Sequence, residues 1–95
     1  MNENNKKAII AGPLVILREE FDDWAILFDP ETGNAFGLNP IGVLIWKHFD
    51  GRHSIDDIAD VIRKRAEAIP DDMQDHLEDF VQATIDIGLA VYEAE

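Results

Sequence analysis

Three histidines, His48, His53 and His76, are the side chains of this 95-residue chain best suited to imidazole chemistry, as general bases or metal ligands. Their spacing argues against both roles. His48 and His53 flank the end of one apolar helical stretch and His76 lies far along the chain, so no His-Glu-x-x-His or Cys/His ligand spacing forms. Cysteine is absent, which removes thiol nucleophiles, thiolate zinc sites, iron–sulfur clusters and disulfide scaffolds together. Ser54 is placed to cap a helix, with no Gly-x-Ser-x-Gly around it. Acids are numerous but unfocused. Glu19, Glu20, Asp22 and Asp23 crowd one connection, while Asp71, Asp72, Asp75, Glu78 and Asp79 follow a helix, where a charge run is ordinarily a solvated face. Asp29 to Gly33 loosely matches a calcium loop without its alternating ligands or distal glutamate. No glycine-rich phosphate cradle is present. The expectation is a protein that is not an enzyme and takes no metal or cofactor.

Charge narrows the partners. Twenty acids against eight bases give a net charge of −12, a field that repels phosphate backbones and anionic lipid and favours a basic partner. Every Lys and Arg lies at or before Arg65, and residues 66–95 carry nine acids and no Lys or Arg. No stretch approaches the roughly 20 apolar residues of a membrane span. Lys6-Lys7 followed by Ala8 to Leu17 has the outline of a signal peptide, but Gly12-Pro13 interrupts it and no cleavage site follows. The expectation is a cytoplasmic protein with a flexible N-terminal tail over residues 1–12 and a single domain over 13–92.

The elements follow from local pattern. Strands are expected at about 14–18, 24–29 and 34–38. In the second, Trp24, Ile26 and Phe28 share a face at period two; in the third, Phe36 and Leu38 alternate with Ala35 and Gly37. Pro30 and Gly33 supply the turn between them. Asn39 caps a helix with Pro40 in its first position, expected over about 40–49. Asp50-Gly51 ends it, Ser54 with Asp57 opens a second over about 55–67, and acids open a third over about 71–88. Leu89 to Tyr92 extends the third helix or forms a short extended tail. The fold class is α+β and winged-helix-like: an N-terminal three-stranded antiparallel β-meander followed by a three-helix bundle.

Two features point to binding. The third strand, Asn34 to Leu38, is an edge without the Lys, Pro or inward charge that blunts such edges, and Gly37 leaves one face bare. Either the glycine admits another backbone, as β-augmentation requires, or it relieves a tight pack against the domain's own helix. On the third helix, Met73, Leu77, Phe80, Val81, Thr84, Ile85 and Ile87 span an arc wider than one core contact needs. Phe80, Ala83 and Ile87 form one flank, facing either a ligand or subunit, or simply the domain's own wedge. Leu14 to Leu17, apolar on both faces, raises the same question. Three readings stand: a peptide-binding module, a homodimerisation or scaffold module using the same edge, and a winged-helix transcription regulator. The third would need its acidic helix to read DNA, which charge disfavours.

The ordered set Gly37-Leu38-Asn39-Pro40-Ile41-Gly42, Ile45-Trp46, Asp50-Gly51 and Ser54-Ile55-Asp56-Asp57-Ile58 resembles the PqqD-like family, and the similarity runs from Pro13 to Gly88. Arg18 to Ala25, with Phe28-Asp29-Pro30 and Thr32-Gly33, looks closer still to the PqqD-related member of the SynChlorMet cassettes. The resemblance implies a RiPP recognition element, a non-catalytic peptide chaperone. Such a module binds the leader of a ribosomally made precursor peptide and presents it to a modifying enzyme, typically a radical SAM protein. It further implies that the leader adds as a strand to Asn34, Ala35, Phe36, Gly37 and Leu38. There it lies in the cleft against the third helix, which carries no matching motif, so that helical geometry alone supplies the facing positions: Met73, His76, Leu77, Phe80, Ala83, Thr84 and Ile87.

Overall fold

The computed structural model describes residues 3–65, 69 and 71–93. A 3-10 turn at Glu3–Lys6 leads into β1 (Ala8–Ala11), β2 (Ile16–Glu19), β3 (Ala25–Asp29) and β4 (Asn34–Leu38). Then follow α1 (Pro40–Lys47), β5 (Asp50–Ser54), α2 (Ile55–Arg65), α3 (Met73–Asp86) and β6 (Ala90–Tyr92). The α+β class and the meander are as the sequence implies, with strand order β2-β3-β4, all antiparallel. Residues 66 and 67, expected to end the second helix, lie outside the described residues.

A second antiparallel sheet, ordered β5-β1-β6, is the main departure. Ala8–Ala11, expected within a flexible tail, is its central strand, with Ile9 completely buried. The expected helix–helix connection is β5, where Gly51 at φ +79° takes a conformation open mainly to glycine. Leu89 to Tyr92 takes the extended option as β6. Each of these strands is defined by partners distant in sequence, which no local pattern encodes. The first meander strand also starts later than expected. Val15 N–H donates to the Gly12 carbonyl at 3.2 Å, so Pro13 and Leu14 belong to a turn.

Helix starts follow their local chemistry. Asn39 Oδ1 accepts the Gly42 N–H at 2.7 Å, with Pro40 in the first helical position. Ser54 and Asp57 form a reciprocal box: Asp57 N–H donates to Ser54 Oγ at 3.2 Å, and Ser54 N–H to Asp57 Oδ2 at 3.0 Å. The core gathers Leu27 and Leu38 from one sheet, Ile9 from the other, and Ile45, Ile58, Ile62, Leu77 and Val81 from the helices. Trp46, Phe49 and Phe80 stack in series, with centroids 5.2 and 6.3 Å apart.

Within β3 the core-facing residues are Ala25, Leu27 and Asp29. The bulkier set, Trp24, Ile26 and Phe28, therefore shares the outer face of the meander.

Candidate peptide-binding site

β4 is an edge strand paired on one side only, by β3 through Ala25↔Leu38, Ile26↔Gly37, Leu27↔Phe36, Phe28↔Ala35 and Asp29↔Asn34. On such an edge alternate backbone N–H and C=O groups point away from the sheet and form an open ladder. The loop before it is self-sufficient. Asp29 accepts from Glu31 N–H at 3.0 Å and Thr32 Oγ1 at 3.1 Å, and Gly33, at φ +78°, donates its N–H to the Asp29 carbonyl at 2.8 Å. The Asp29 carboxylate is thus spent on its own turn.

Phe36 is half-buried and Leu38 buried on the core side, whereas Asn34, Ala35 and Gly37 are exposed. A Cβ built at Gly37 meets nothing within 4 Å. The tight-packing explanation for this glycine is therefore excluded: the domain's own helix does not approach it.

One residue past β4 a cleft of about 250 Å³ opens. Asn39, Ile41 and Ile45 line it from α1, and Met73, His76, Leu77 and Phe80 from α3. Its walls are largely apolar. Asn39 is engaged as the α1 cap, and His76 Nε2 pairs with Asp72 Oδ2 at 2.8 Å on the exposed rim. Phe80 is positioned by its contact with Phe49. Apolar side chains suit this cleft; proton transfer does not, because no two titratable groups converge on its floor.

Of the helical positions expected to face a ligand, Met73, His76, Leu77 and Phe80 line the cleft. Ala83 and Ile87 are exposed farther along α3 and do not. Thr84 is buried and donates its hydroxyl to the Val81 carbonyl at 2.7 Å, which satisfies it within the helix. Ile41, Ile45 and Ile62 were not singled out as site residues, although the Asn39-Pro40 step, which forces α1 to start beside the end of β4, was the available signal.

The histidines are held by local partners. His48 Nδ1 lies 2.7 Å from the Leu44 carbonyl and His53 Nδ1 2.9 Å from Asp50 Oδ1, with the two rings edge to face at 4.9 Å. Burial pushes the Asp50 carboxyl up, but its hydrogen bonds from His53 and the Arg52 N–H together hold it below the usual carboxylate range. Among the described residues no three of His, Asp and Glu converge to hold a metal ion.

Two solved structures share this fold. TbiB1 in complex with the TbiA(beta) leader peptide is 24% identical with a TM-score of 0.73, covering 90% of this chain and 99% of that one. A lasso peptide synthetase B1 complexed with the leader peptide is 21% identical with a TM-score of 0.73, covering 88% and 98%. No curated protein is a significant match. The family of coenzyme PQQ synthesis protein D (PqqD) matches residues 25–90, which run from the first residue of β3 to the first of β6. With β3, β4, all three helices and most of its length inside that match, the chain belongs to the PqqD family.

Proposed function

We propose that the chain is a peptide-recognition module that captures the leader of a ribosomally made precursor peptide by strand addition to β4. It presents that leader to a modifying enzyme, on our reading a radical SAM protein. The observation that carries this reading is an unprotected edge strand opening directly onto an apolar cleft. The ladder supplies affinity that is indifferent to sequence, and the cleft supplies preference for apolar side chains at alternate positions. The two structural neighbours, each holding a leader peptide, support the assignment. The module works by binding, not turnover: its cleft has apolar walls and its polar groups are engaged in capping or rim pairs.

The test is an amide-resolved titration with a synthetic leader peptide from a candidate precursor sought among the neighbouring reading frames. Binding shifts the amides of Asn34 to Leu38 and of Met73 to Phe80, and leaves β5 and β6 unmoved. If the β4 amides stay still at saturating peptide, strand addition is wrong. Light scattering across a concentration series separates the dimer reading, because a pair sealed through β4 would leave no edge for a peptide.

A further inference from the structure

The outer face of the meander carries a feature that peptide capture in the inner cleft does not use. Gly37 sits there between Ile26, its register partner on β3, and open solvent on the free side of β4. Neither of the usual reasons for glycine applies. Its φ lies outside the left-handed region, which among glycines is taken by Gly33, Gly51 and Gly88. A Cβ there would meet nothing within 4 Å. In a strand, such a glycine leaves its neighbours without a cross-strand side-chain contact, which costs stability unless something else lies over it.

What surrounds it is a trough of about 470 Å³, lined by Gly37, Ile26, Trp24, Phe21 and, at one end, Glu20 and Asp22. Trp24 and Phe21 are 53% and 81% exposed, large apolar surface for a small domain to leave in water. The hairpin holds them there. Asp22 and Asp23 both take positive φ, Trp24 N–H donates to the Phe21 carbonyl at 3.2 Å and Glu20 N–H to the Trp24 carbonyl at 2.7 Å, a tight turn that holds Phe21 within it and Trp24 at its end.

We infer that an added strand places a large apolar side chain, aromatic above all, on the outer face across from Gly37, lying over the glycine against Ile26 and Trp24. The inference rests on leader binding at β4 and adds a second specificity subsite to it. Neighbouring strands lie about 4.8 Å apart, so a residue on the added strand starts about 10 Å from Ile26, a gap that an aromatic side chain crosses only where the intervening residue is glycine. This is the cross-strand packing by which aromatic residues compensate edge glycines. A second copy of this chain is a poor occupant, since each carries −12. Glu20 and Asp22 favour a Lys or Arg next to the aromatic residue.

The probe is a random heptapeptide library displayed on phage, selected against the wild-type protein, Gly37→Val and Ile26→Thr. Amide spectra establish that each variant is folded. Wild type enriches apolar residues at alternate positions, which serve the cleft, and an aromatic residue at one intervening position. Gly37→Val keeps the alternate pattern and loses the aromatic preference, and Ile26→Thr binds the wild-type consensus about tenfold more weakly. An intervening position with no aromatic preference in wild type, or the same preference in all three proteins, overturns the outer subsite while leaving leader binding standing. If wild type enriches no peptide at all, leader binding itself fails.

Discussion

Asn39 joins the binding edge to the helix that walls the cleft, through one hydrogen bond to the Gly42 amide. Asn39→Ala removes that acceptor and destabilises the domain by about 1 kcal/mol, read from urea denaturation midpoints. Tyr92 offers a second readout, because it is the chain's sole tyrosine. Burial, and after it the charge of Glu78, raises its phenol above the ordinary value. A raised acid contributes stability that is present below its unfolded pKa and lost as the pH rises through the folded one. Glu78→Gln removes the second cause only, so ultraviolet titration shows the phenol falling part of the way back. Asp50 has the opposite sign. Its lowered pKa gives a contribution present above the unfolded carboxylate value and lost as acid takes the pH below it. His53→Ala raises the Asp50 pKa, measurable by carbon-detected titration of its carboxyl.

At the scale of elements, β1 makes the clearest demand. Ile9 is wholly buried between β5 and β6, so Ile9→Ala costs about 2–5 kcal/mol, whereas the same change at half-exposed Ile10 costs far less. Thermal denaturation of the two variants tests this directly. That strand also marks where sequence legibility stopped. Helix starts were readable because Asn39-Pro40 and Ser54…Asp57 act within four residues. The meander was readable through its alternation and the Pro30–Gly33 turn. β1, β5 and β6 depend on contacts across the whole chain, and no local pattern encodes those. The site divides in the same way. β4 was visible as an edge and Met73, Leu77 and Phe80 as part of a wide apolar arc, but the flank read from it, Phe80, Ala83 and Ile87, runs past the cleft. The outer face was not, because Ala25 and Leu27 alternate with Ile26 and Phe28, and periodicity cannot say which apolar set turns inward.

Over the whole molecule, the charge distribution predicts a preference among partners. α3 presents Asp75, Asp79 and Asp86 with no Lys or Arg along Met73–Asp86, so a leader with basic residues beside its apolar anchors gains attraction. Raising salt from about 0.05 to about 0.5 M weakens binding of such a peptide severalfold, and isothermal titration at both concentrations reads the difference. A peptide with those bases replaced by glutamine shows little salt dependence. On the outer face, Trp24, Phe28 and Ile16 stay solvent-facing despite their size, and the net charge of −12 opposes the approach of a second copy.

The two sheets differ in when they can exist. The meander closes within residues 16–38, through neighbours joined by short turns, whereas β1 reaches β6 only through Ile9↔Tyr92 and its flanking pairs, almost a chain length away. Local pairings form early and distant ones wait for loop closure. On the ribosome, the open edge of β4 can therefore be assembled while Ala8–Ala11 still lacks the last of its partners. Until Tyr92 emerges, two strands of the nascent chain each keep one open side, β4 away from β3 and β1 away from β5.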